Sequence, residues 1–208
     1  MHALPFSPKV AAHPRASGLS RHEEFRLTLS TLSPGHARDA LRRATRDAHE
    51  AVDASFSRFD LSDTDAYRTF LIVHAQVVPA LEAWLNVHQP DSLGGWRTVR
   101  RGPALLADLA ALGEPAPPTV AIDLPDDTAT ICGATYVLEG SRMGGALLSR
   151  RVPAGLPADY LRAPSQSALW RSFVADLDRL LPDAQAIERA GAAALATFAL
   201  FGKAVATA

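Results

Sequence analysis

Disulfides are excluded at once, because the 208-residue chain has a single cysteine, Cys132. A lone thiol in such a chain reads first as a small buried hydrophobe. CxxC pairs, HExxH and paired ExxH motifs are all missing, which argues against a zinc or di-iron centre built from protein ligands alone. Charge of one sign is missing too. The formal net charge is −1, so nothing global draws the chain to nucleic acid or to an anionic membrane. No run of 18 apolar residues appears, so no transmembrane helix is expected. No flavin or nicotinamide fingerprint is found either. Acids are absent from MHALPFSPKVAAHPRASGLSRH at the start of the chain. That stretch also lacks the apolar core of a secretory signal, and it reads as a poorly ordered tail over residues 1–32 of a cytoplasmic protein.

What remains is an ordinary globular balance, 48% hydrophobic and 21% charged, enough for one domain with a sizeable core over residues 33–208. Helical spacing dominates it. Ser33 and Pro34 suit an N-cap and a first helical position. Leu41, Ala44, Ala48, Val52, Phe56 and Phe59 then recur as an amphipathic stripe. A second helix starts near Ser62-Asp63 and carries Tyr67, Phe70, Leu71, His74, Val78, Leu81 and Leu85. Further helices are expected over Trp96–Leu112, Asp127–Arg151, Ser165–Leu181 and Pro182–Val205. Strand alternation is lacking; VAIDL, between prolines, is the one short candidate. The expectation is an all-α, single-domain bundle of about six or seven helices.

Two stretches carry chemistry. In LRRATRDAHEAVD, Arg42, Arg46, His49 and Asp53 follow at intervals of four, three and four, which places them on one helix face. One reading is a partly buried histidine beside solvated arginines. The other is a metal ligand, since neutral imidazole binds iron. One histidine suffices for haem, whose porphyrin supplies four nitrogens and whose propionates suit arginine.

The second stretch is YVLEGSRMGG. Gly133, Gly140, Gly144 and Gly145 lie in one helical segment, and each costs about 1 kcal/mol relative to Ala. Together they forfeit about 3–4 kcal/mol, against a net domain stability of about 5–15 kcal/mol. Something must approach this backbone closely. Either another helix does, or a flat ligand does.

In this order, LRRATRDAHEAVD and YVLEGSRMGG resemble the haem oxygenase family, in its bacterial, biliverdin-producing branch. The resemblance spans about Pro34 to Val205. It implies an all-α haem oxygenase-like fold with His49 as the proximal iron ligand. It implies that Arg42 and Arg46 face the propionates, with Asp53 and Tyr136 beside the haem. Gly140, Ser141, Gly144 and Gly145 become the distal helix, leaving room for dioxygen. Arg171, Arg179 and Arg142 are further candidates for the propionates. In animal members an aspartate follows the first glycine, where this chain has Ser141, and a tyrosine lies five residues before that glycine, where Tyr136 lies four before.

The resemblance further implies that haem is both cofactor and substrate. It is opened with dioxygen and external electrons to biliverdin, carbon monoxide and ferrous iron. Iron release or supply of a bilin chromophore follows. A ferredoxin or flavoprotein reductase would be the electron donor, and Arg97, Arg100 and Arg101 in WRTVRR read as a solvated basic face that it could meet. Two other readings stay open. One is a haem-binding or haem-carrying protein without turnover, motivated by Ser141. The other is a thiaminase-like hydrolase using Cys132 with Glu139.

Overall fold

Eight α-helices and one 3-10 turn form the regular structure among the residues that the computed structural model describes, 35–89, 100–163 and 167–208; no strand occurs among them. The helices are α1 (His36–Phe56), α2 (Thr64–His88), α3 (Gly102–Ala111), α4 (Thr128–Gly140) and α5 (Arg142–Leu148). After the 3-10 turn Ser149–Arg151 come α6 (Asp159–Arg162), α7 (Ser167–Leu180) and α8 (Ala184–Ala206). The all-α expectation therefore holds. The expected tail, Ser33, Pro34, Trp96 and Arg97 lie outside the described residues.

Three elements differ from the sequence reading: of the helix expected over Trp96–Leu112, Arg100 and Arg101 are not helical and α3 starts at Gly102. The glycine segment is two helices, broken at Ser141, and α6 is a single turn that no periodicity announces. VAIDL is irregular. It docks through Val120, whose amide donates to the Gln76 carbonyl at 2.8 Å. Pro79 lies inside α2 in the next turn and removes an N–H from the ladder there.

The core is organised around α8, which packs on α4, α1 and α2. Its contact face is built from Ala186, Ala190, Gly191, Ala193, Ala194 and Thr197, all buried. Small side chains let α4 come close. A Cβ added at Gly133 would lie 2.1 Å from the Ala190 carbonyl oxygen. On α1 the buried face runs Ala37, Leu41, Thr45. Thr45 takes the place expected for Ala44, its hydroxyl satisfied by the Leu41 carbonyl at 2.8 Å.

Three helices begin on carboxylates from elsewhere in the chain. Asp178 of α7 accepts from the amides of Gly35 and Ala37 at 2.6 and 2.8 Å, which closes the start of α1. Gly35 adopts φ 89°, open to glycine and strained for other residues. Glu82 of α2 accepts from Arg101 and Gly102 at 2.6 and 3.0 Å at the start of α3. Asp108 of α3 accepts from Asp159 and Tyr160 at 3.1 and 2.9 Å at the start of α6. Each satisfies amides that a helix start leaves without partners. Burial holds the Glu82 and Asp108 carboxyls above their ordinary range, opposed by those same amide bonds.

By length and composition α2 and α8 could cross a membrane. In this fold they are core helices, with half of each apolar stretch buried.

Candidate active site

Between α1, α2, the α4–α5 break, α7 and α8 lies a cavity of about 800 Å3. Helix α1 forms one wall. Arg38, Arg42 and Arg46 recur every fourth residue along it, followed by His49 and Asp53. Phe70 and His74 come from α2, Trp170 from α7, and Phe198 and Phe201 from α8. The α4–α5 region contributes Tyr136, Val137, Gly140, Ser141, Met143, Gly144 and Leu148.

His49 is open to the cavity, its side chain 59% exposed. Its Nδ1 lies 3.3 Å from Asp53 Oδ2, one turn on. A proton held between them leaves the Nε2 lone pair free, the form an imidazole needs to bind a metal. The ring stands edge-on to Phe198, 5.6 Å between centroids. Burial raises the Tyr136 hydroxyl above its ordinary value, opposed by the Arg38 and Arg42 charges.

The four glycines divide into two pairs. Gly133 is pressed against α8. At Gly145 an added Cβ would lie 2.9 Å from the Leu161 carbonyl oxygen, so this glycine admits α6. At Gly144 the added atom would meet nothing within 4 Å, and at Gly140 only the Trp170 ring at 3.8 Å. Gly140 and Gly144 leave open space in the cavity wall, while Gly145 does not line the cavity. The helix-packing reading thus holds for Gly133 and for Gly145, which does not open the distal wall, while Gly140 and Gly144 leave room that a flat ligand could use.

Arg171 is exposed and absent from the cavity lining. Arg179 is exposed and pairs with Asp176 at 3.2 Å. Arg142 is buried in an ion pair with Glu139. None of the three meets the cavity. Arg101, read as a surface cation, is 4% exposed, whereas Arg100 is exposed. Cys132 is fully buried, and desolvation pushes its thiol up to about 12. A thiol so far from ionising, with Glu139 already paired, is no activated nucleophile.

Sequence reasoning missed several cavity residues with chemistry, Arg38, Glu50 and His74 among them. Arg38 extends the arginine ladder by one turn, and its spacing from Arg42 was the available signal. His74 was read only as a member of the α2 apolar stripe. It sits among rings, 4.2 Å from the Phe70 centroid and 4.7 Å from that of Phe56. Its Nδ1 donates to the Phe70 carbonyl at 2.8 Å. Desolvation, aided by the Arg101 charge, pushes its pKa down to about 4. His74 is therefore neutral at pH 7, with Nε2 as an acceptor.

These residues fit haem. The volume lies within the range of small-molecule sites, apolar rings line it, one histidine has a carboxylate behind it, and three arginines suit two propionates.

No family profile matches the chain. A heme oxygenase from Xanthomonas campestris pv. campestris (strain 8004) is 34% identical over 146 residues, covering 67% of this chain and 88% of that relative. The NO- and CO-bound heme oxygenase structure from Neisseria meningitidis superposes with a TM-score of 0.66 at 24% identity, over 82% of this chain and 90% of that one. The second likeness shows a shared fold. The first, reaching most of the relative at that identity, goes further: the chain belongs to the haem oxygenase family of oxidoreductases.

Proposed function

We propose that the chain binds haem in this cavity and degrades it with dioxygen and external electrons to biliverdin, carbon monoxide and ferrous iron. One observation carries the reading. His49 on one wall and the bare backbone of Gly140 and Gly144 on another face the same cavity. Bound haem supplies the redox chemistry and is itself consumed.

The chain's residues bind and orient it. His49 offers Nε2 to the iron, and Asp53 holds the other nitrogen's proton. Arg42 and Arg46, joined by Arg38, take the propionates through charge-assisted hydrogen bonds. Val52, Phe56, Phe70 and Phe201 keep water from the macrocycle. Gly140 and Gly144 leave the other face open to dioxygen. The Ser141 hydroxyl already donates to the Leu138 carbonyl at 2.7 Å. The Ser141 hydroxyl is thus already committed, and the open wall at Gly140 and Gly144 would leave room for water to supply protons there. Electrons come from a ferredoxin or flavoprotein reductase in a cytoplasmic setting, and the product serves iron release or supplies a bilin chromophore.

The test is to load the protein with hemin, add ascorbate or a ferredoxin system under air, and follow the visible spectrum. Decay of the Soret band as broad biliverdin absorption rises is expected. A stable Soret band in the presence of a competent donor would leave a haem carrier, and no Soret band would end the haem reading. His49→Ala is expected to abolish the spectrum of histidine-ligated iron; an unchanged spectrum would remove His49 as the ligand.

A further inference from the structure

A glycine-rich helix break is a poor platform unless something fixes it. Helix α4 ends at Gly140 and α5 begins at Arg142, with Ser141 between them at φ −64° and ψ −22°. The Ser141 hydroxyl bonds back three residues to the Leu138 carbonyl at 2.7 Å, a contact that bends helices. Glycines at 140 and 144 add no side chain that would stiffen the bend.

The missing brace is a buried cation. Arg101 Nη2 donates to the Leu138 carbonyl at 2.9 Å and to Ser141 Oγ at 2.8 Å. Leu138 thus receives two side-chain donors at the turn where α4 stops. The arginine is itself fixed. Its amide donates to Glu82 at 2.6 Å, and its guanidinium lies over the Tyr160 ring, 5.3 Å from the centroid. Its Nε is buried with no hydrogen-bond partner. A buried cation with an unmet donor lowers stability relative to an apolar side chain of similar size. Core packing alone does not call for such a residue.

We propose that Arg101 is a positioning residue that locks the α4–α5 break and so sets where Gly140 and Gly144 stand in the cavity wall. Ser141 is then the second half of this lock and not a proton donor. The consequence for oxygen chemistry rests on the haem reading; the lock itself does not.

Two readouts separate these. The first uses the haem-free protein and measures amide hydrogen exchange over residues 138–148. Arg101→Met should speed exchange there at least about tenfold, the factor carried by one hydrogen bond from a charged donor. Ser141→Ala should give a smaller acceleration. The double variant should exceed Arg101→Met little, because both act on one network. The second readout is the carbon–oxygen stretching frequency of the ferrous carbon monoxide complex, with turnover alongside. Arg101→Met should shift that band and lower turnover while the Soret band and haem stoichiometry stay as in wild type. Arg101→Lys should restore part of both.

Wild-type exchange and an unshifted carbon monoxide band in folded Arg101→Met would overturn the proposal. Should that variant fail to fold, Ser141→Ala decides by the same two measurements. If the wild-type protein binds no haem, the functional reading fails, and the exchange result still judges the lock.

Discussion

Gly133 and Gly140 stand two turns apart on α4, yet one is pressed against another backbone and the other lines a cavity. At Gly133 the missing Cβ lets the α8 backbone in, with Ala190 oxygen 2.1 Å from where it would sit. At Gly144 the missing Cβ leaves open space, and at Gly140 an added one would meet only the Trp170 ring at 3.8 Å. The same residue type, in a single run of sequence, serves the seam between helices at one end and the cavity at the other. The seam should therefore govern folding, and the cavity wall should govern what is bound.

The largest effect should come from the seam. Gly133→Ala forces α4 and α8 apart along the most extensive helix contact among the described residues. It is expected to lose about 3 kcal/mol or more, read by urea unfolding of the haem-free protein. Unchanged stability would collapse the distinction.

His74 sharpens the comparison from the other side, because it is a wall residue with a folding consequence. An unfolded histidine titrates near 6.5, whereas His74 in the fold titrates at about 4. Between those values the unfolded chain takes up a proton that the native protein refuses. Stability should be fully present above pH 6.5 and fall as the pH drops toward 4, by at most about 3 kcal/mol. His74→Leu should flatten that part of the pH–stability curve relative to wild type. An identical curve would mean that the ring is solvated after all.

The smallest effect on folding should come from Gly144→Ala. The added methyl meets no atom, and alanine favours the helix by up to about 1 kcal/mol. The haem-free protein is therefore expected to gain stability while haem turnover falls. A stabilised variant with full turnover would show that this space is not used.

Much of the site was legible because it is local. The spacing of Arg42, Arg46, His49 and Asp53 on one helix face survives folding unchanged, and so does the pairing of Gly140 with Gly144. What was illegible depends on partners. Helical spacing says that Gly145 and Gly144 differ in direction, but only tertiary packing puts the Leu161 carbonyl beside one and nothing beside the other. Arg101 lies among arginines in a polar stretch and reads as surface; its burial follows from Leu138 and Ser141, which arrive from far along the chain. The distant carboxylates behave alike. Asp178, Glu82 and Asp108 cap helices that their own sequence neighbourhoods do not contain.

Asp178 has a bearing on the order in which the protein is made. Helix α1 carries His49 and the arginines, and it leaves the ribosome before every other helix described. Its main packing partner is α8 and its amide cap is Asp178 on α7, both synthesised late. Contacts of such wide sequence separation form only after the intervening loop has closed. The wall with the most chemistry thus takes its supports from the part of the chain that is made last.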